Sequence, residues 1–183
     1  MKKLIRMLAA YLCLLCVCFG TAGCWFWGNF NGIMYKHFKD PNNYYEWTVR
    51  VEDFVWTDME DGYTGYSLFD NSENFEYRAL EERKRNHIAL SVTILEYEKE
   101  WMSHLNKQAF EIDYQNAVEL IKNGFLENVR IGETIKIRAT YWTYGDRDWF
   151  FLAAVECGDA TYLDIDTGIK NIVAYMDDNR SLL

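Results

Sequence analysis

From residue 45 onward, apolar and polar positions alternate with a period of two in several stretches. In residues 45–55 (YEWTVRVEDFV), Trp47, Val49 and Val51 alternate with Thr48, Arg50 and Glu52, the pattern of a half-buried strand. Residues 87–97 (HIALSVTILEY) repeat it with Ile88, Leu90, Val92 and Ile94 on one face. Residues 134–142 (TIKIRATYW), 148–155 and 160–165 form a third group, separated by the turn-rich sequences TYGDRD and ECGD, and predict a three-stranded antiparallel meander. Between these groups the period changes. Asp113 is placed to cap a helix running to Asn123 (YQNAVELIKN), and Gly124, in the left-handed stop position with Phe125 behind it, ends that helix. Residues 72–86 carry Glu81, Glu82, Arg83, Lys84 and Arg85 beside Phe75, Ala79 and Leu80, the composition of a solvated helix with a narrow apolar face. Residues 58–65 (DMEDGYTG) read as a loop, and residues 169–176 as a final helix.

Two strands, a helix and a meander add up to an α+β domain with a mostly antiparallel five-stranded sheet and two or three helices. A small barrel of oligonucleotide/oligosaccharide-binding (OB) type is one closure that suits five strands and an interposed helix. Composition supports a packed core: 50% of the residues are hydrophobic, 17% are aromatic, and Pro41 is the single proline. At 183 residues the chain accommodates one such domain plus a targeting segment.

The first 44 residues break the alternation. Lys2, Lys3 and Arg6 precede an uncharged apolar run over residues 7–19 (MLAAYLCLLCVCF), followed by the small residues Gly20, Thr21, Ala22 and Gly23. Basic, apolar and small segments in that order form a secretory signal. Crossing a ~30 Å hydrocarbon layer as a helix takes about 20 residues. An uncleaved anchor would therefore have to continue through Gly20 and Gly23, both poor helix residues.

Thr21-Ala22-Gly23-Cys24 resembles the lipobox of bacterial lipoproteins, with Ala22 and Gly23 matching the two positions before the cysteine and Thr21 standing where leucine is usual. The resemblance implies cleavage between Gly23 and Cys24, with diacylglyceryl and palmitate-type acylation of Cys24. Residues 1–23 would then be the signal, 24–44 an aromatic membrane-proximal tether and 45–183 the domain. Two or three acyl chains hold a protein stably on a membrane where one does not. In the tether, Trp25, Phe26, Trp27 and Phe30 are suited to the bilayer interface, or equally to packing on the domain.

This division disposes of the cysteines. Cys13, Cys16 and Cys18 leave with the signal as apolar core residues, and Cys157 remains alone in the body, without an intramolecular disulfide partner. It lies beside Glu156 and Asp159, which raise rather than lower a thiol pKa, so it reads as a structural thiol. Charge shifts too. The full chain carries −9, and because Lys2, Lys3 and Arg6 are three of its 19 cationic residues, removal of residues 1–23 leaves 16 against 28 carboxylates, or −12. So acidic a body disfavours nucleic acid and docking of the domain on anionic lipid, leaving neutral ligands, cations and basic protein surfaces.

Candidate chemistry is sparse. Asp166-Thr167-Gly168 resembles the catalytic loop of aspartic proteases, but that chemistry needs two such loops, and turn or N-cap chemistry accounts for a single copy. Asp164, Asp166 and Gly168 echo the start of a calcium loop, yet the next acidic residue after Gly168 is Asp177, where calcium requires six to eight oxygens. His37, His87 and His104 lack zinc spacing, and neither metal nor cofactor is indicated. Five aromatics, Tyr63, Tyr66, Trp142, Tyr144 and Trp149, fall in or beside predicted loops, where rings can stack on a glycan or anchor a protein. The sequence thus predicts an extracytoplasmic binding or interaction module of the bacterial cell envelope, held on the membrane by lipid on Cys24. Alternatives are an envelope hydrolase using Asp146, Asp148, Asp164 and Asp166, or a purely structural lipoprotein.

Overall fold

A computed structural model describes residues 32–58, 64–70, 86–144 and 147–178. The compact unit that contains the sheet runs from Phe38 to Leu183. Residues 32–39 are helical (α1), the last two of them within this unit, and a short turn at Pro41–Asn43, capped by Asp40, leads into the first strand.

The strands are β1 (Tyr44–Asp58), β2 (Thr64–Ser67), β3 (Asn86–Tyr97), β4 (Lys107–Glu111), β5 (Thr134–Tyr144), β6 (Arg147–Cys157) and β7 (Ala160–Leu163). Further helices among the described residues include α2 (Tyr114–Lys122), α3 (Phe125–Asn128) and α4 (Ile165–Asp178). The class is α+β, as the alternation predicts.

Pairing turns the sheet back on itself. β1 runs antiparallel to β3 along most of its length and to β5 through Tyr44–Arg50; β3 pairs with β4, and β5 with β6. β4 and β6 meet as parallel neighbours through one residue pair, Glu111 and Phe151. The path β1-β3-β4-β6-β5 therefore returns to β1 as an OB-like ring that is thinnest, and partly open, between β4 and β6. β2 extends the far half of β1, and β7 adds to β6 outside the ring.

Five ring strands match the predicted number but not the predicted membership. β7, the third meander strand, is off the ring, and its place is taken by β4, which the alternation did not reveal. Register shifts against β3 at Thr48/Val49 and Val51/Asp53 let the 15-residue β1 bend far enough to serve two neighbours in turn.

The inward-facing residues form one core. Trp47 meets Phe110 and Phe150 edge-on, at ring separations of 5.6 and 6.0 Å, and Phe54 meets Phe125 at 5.7 Å near the other end, where Phe125 also contacts Tyr162. Five of these six rings are essentially inaccessible to water, and the sixth, Tyr162, nearly so. Edge-to-face contacts of this kind add to plain area burial.

The helix after β4 forms as its sequence predicts. Asp113 accepts from the Gln115 backbone N–H at 2.9 Å, and Gly124 adopts φ 79°, the left-handed conformation that stops the helix. The last helix starts four residues earlier than its apolar pattern indicates. Asp164 ends β7 and accepts from the Thr167 backbone N–H at 2.9 Å, so Ile165 opens α4 rather than closing a strand.

The predicted helix over residues 72–86 and most of the loop over 58–65 lie outside the described residues. So do Gly23 and Cys24 and the aromatics Trp25, Phe26, Trp27 and Phe30. Among the described residues no helix is long and apolar enough to cross a membrane.

Candidate functional site

Aromatic packing is continuous from the core to the surface at one end of the ring. That end is where β1 begins, where β3 and β5 finish, and where the short helix Glu100–His104 crosses from β3 to β4. Tyr45 continues the inward series Trp47, Val49 and Val51, while Tyr141 continues Ile135, Ile137 and Ala139. Tyr141 lies 5.1 Å from Phe150 between ring centroids. Trp101 closes the stack, 5.3 Å from Tyr141 and 5.9 Å from Tyr45, which it meets edge-on.

Trp101 is nonetheless 45% exposed, with Tyr97 and Leu95 about as accessible at the end of β3. Its neighbour Met102 is wholly buried and ties the crossing helix to the core. The backbone carbonyl of Trp101 is met by His104 Nδ1 at 2.8 Å, which further fixes the turn. The indole is thus held by packing on one side and open on the other.

Charged groups lie beside its ring partner Tyr45. Lys99 Nζ lies 5.9 Å from the Tyr45 ring centroid and 2.9 Å from Glu98 Oε1, while the other oxygen of Glu98 accepts the Glu46 backbone N–H. The Lys99 ammonium and the Glu46 amide together hold the Glu98 carboxyl below its ordinary range. On the neighbouring outer face, Thr48 Oγ1 donates to Glu96 at 3.2 Å.

The aromatics predicted from loop position are divided among different surroundings. Trp142 and Trp149 are cross-strand partners on the outer face of the β5–β6 hairpin, and both are half-buried. Phe38 covers that face, 6.0 Å from Trp142 and 5.0 Å from Phe151, and is itself wholly buried. Tyr44, also buried, donates its hydroxyl to the Phe38 carbonyl at 2.8 Å, and burial pushes its phenol pKa up. The body's packing therefore begins at Phe38, ahead of the expected boundary at residue 45. Tyr66 packs on Trp56 at 5.6 Å, at the β2 edge. Tyr63 and the side chain of Tyr144 lie outside the described residues. Trp101, Tyr97 and Leu95 were not among the candidates from sequence. The available signal was a tryptophan in a charged connecting segment, EYEKEW, where a ring has no strand or helix of its own to pack into.

The acidic loop residues occupy separate places. Asp148 accepts from the Tyr141 hydroxyl at 2.8 Å, Asp164 caps α4 with its carboxyl held low by the Thr167 N–H, and Asp166 is exposed in the first turn of α4. Asp146 lies outside the described residues. Among the described residues no three His, Cys, Asp or Glu side chains converge as a metal site would require.

Gly168, the last residue of the protease-like triplet, has a packing role. A Cβ there would lie 1.8 Å from the Ala153 carbonyl oxygen, so glycine is what lets α4 rest against β6. The buried Gly168 carbonyl accepts from Asn116 Nδ2 at 3.1 Å, and Asn171 donates to Asn116 Oδ1 at 2.9 Å, pinning α2 to α4. Cys157 sits at the end of β6, where burial and the Glu133 carboxylate push its thiol pKa up, the opposite of an activated nucleophile.

No protein-family model, curated protein or solved structure matches this chain.

Proposed function

We propose that this protein is a lipid-anchored binding module of the bacterial cell envelope, tethered through Cys24 and facing the extracytoplasmic side. The observation that carries the binding half is the open face of Trp101, supported from beneath by Tyr45 and Tyr141. Water gains nothing from so large an apolar ring, and a rigid, backed aromatic is the kind of anchor on which a protein or glycan partner spends little ordering entropy. The anchoring half is supported by the order of basic, apolar and small residues leading to Cys24. A lipid anchor would raise the local concentration of this face for partners on the same membrane.

Cys24→Ala in the full chain tests the anchor. The wild-type protein is expected in the membrane fraction with a mass equal to residues 24–183 plus acyl groups, and the variant is expected unacylated. An unchanged mass and unchanged membrane partition in the variant would sink the lipoprotein reading.

A further inference from the structure

The segment that carries Trp101 alternates rings with charge. Glu96, Glu98 and Glu100 are exposed, and between and after them come Tyr97, Lys99 and Trp101. Within this segment the chain already seats a cation on an aromatic face: the Lys99 ammonium stands over Tyr45 with the Glu98 carboxylate beside it. A cation attracted to a ring's negative face, with a carboxylate to balance its charge, is the arrangement by which proteins hold ammonium and guanidinium groups. Tryptophan is the strongest ring for that contact. Trp101 is the more exposed of the two rings and stands two residues from Lys99.

We propose that this end of the ring binds a basic segment of a partner protein, one lysine or arginine lying on the open face of Trp101 and its neighbours meeting Glu98 and Glu100. The assignment rests on the binding-module reading and names its ligand class. Charge selects the occupant. Three exposed carboxylates on a body of net charge −12 after signal removal repel anionic headgroups, whereas they attract a basic segment and steer its approach. A neutral sugar would stack on the indole but would draw nothing from the carboxylates' net charge. Arginine is the better fit, because its planar guanidinium stacks on indole and forks onto a carboxylate at once.

The test uses the full chain in nonionic detergent and a dye-labelled hexa-arginine peptide, with binding read by anisotropy at fixed ionic strength. Trp101→Leu keeps the apolar cover and the net charge but removes the π-face, and is expected to weaken binding by about five- to tenfold. Lys99→Ala frees the Tyr45 ring and Glu98 and is expected to tighten binding. Lys122→Ala, which removes the same charge from α2, is expected to tighten it less. Near-UV circular dichroism of each variant establishes that the fold is kept. If Trp101→Leu binds as tightly as wild type, or if the two lysine variants behave alike, the attraction is diffuse charge and the proposal is overturned. Trp101-dependent binding of a neutral oligosaccharide, with none of hexa-arginine, would overturn the ligand class while leaving the binding-module reading intact. Cys24→Ala is expected to leave the peptide affinity unchanged, so failure of the anchor reads out separately.

Discussion

Single residues in this protein are often explained by one contact that their immediate sequence does not contain. Gly168 belongs to a triplet that suggests catalysis, yet its decisive neighbour is Ala153, in another element. His87 has no metal-like spacing, and its partner is Glu111 on the adjoining strand, whose carboxylate meets His87 Nε2. That hydrogen bond raises the His87 pKa from 6.5 against the opposing effect of burial. The sign follows from linkage: a histidine whose folded pKa lies above its unfolded value contributes stability that is complete below about 6.5 and is lost as pH rises through the folded value. Denaturant unfolding should therefore show stability declining across that window in the wild type. In His87→Gln the decline should be absent, with a difference below about 1 kcal/mol because the pair is partly exposed and screened. A decline of equal size in the variant would show that another group is responsible. By contrast, Asp113 and Gly124 were legible residue by residue, because helix capping is local chemistry acting over two or three positions.

Elements were legible where the periodic signal was long and strong. β1, β3, β5 and β6 each span at least eleven residues; the first three follow from the alternation of apolar and polar positions, and β6, whose Leu152, Ala153, Ala154 and Val155 are buried in succession, follows from the turns that flank it. β4 escaped because in Lys107–Glu111 only Phe110 is both large and buried, and a five-residue strand with one inward ring has no period to detect. β2 is shorter still and includes Gly65. The start of α4 was hidden for a different reason. Tyr162, Leu163 and Ile165 extend the look of a strand, and only the capping bonds of Asp164 end it. How α4 is held also lies beyond local pattern. Asn116 is completely buried, and its amide satisfies the Gly168 carbonyl while its own oxygen accepts from Asn171. Asn116→Ala would strip these partners in a dry site, so a loss of about 1 to 3 kcal/mol is expected. A double-mutant cycle with Asn171→Ala should return a coupling of roughly 0.5 kcal/mol or more. Strict additivity would mean that the two amides do not act as a unit.

At the scale of the whole molecule, the ring depends on pairings between residues far apart in sequence, and strand order cannot be derived from period. β1 meets β5 across some ninety positions, as Glu46 and Lys136 illustrate with their 3.4 Å ion pair on the outer face. The aromatic site inherits this limit, because Tyr45, Trp101 and Tyr141 become neighbours only when the ring forms. The limits of the body are set the same way. The β5–β6 hairpin presents Thr140, Trp142 and Phe151 outward, and Thr140 is nevertheless completely buried because the chain ahead of β1 folds over this face with Phe38 wholly inaccessible. An aromatic side chain so placed stabilises by about 3 to 5 kcal/mol relative to alanine. Removing it by truncation also takes away the carbonyl that accepts the Tyr44 hydroxyl. Residues 32–183 and residues 45–183 should therefore differ in stability by at least about 3 kcal/mol, measured by denaturant unfolding, with Phe38→Ala in the longer form accounting for most of the difference. If the two forms unfold at the same denaturant concentration, Phe38 only rests on the hairpin, and the body does begin at residue 45. If they differ as expected, Phe38 and the turn that follows it are part of the fold, and the packed body begins ahead of residue 45.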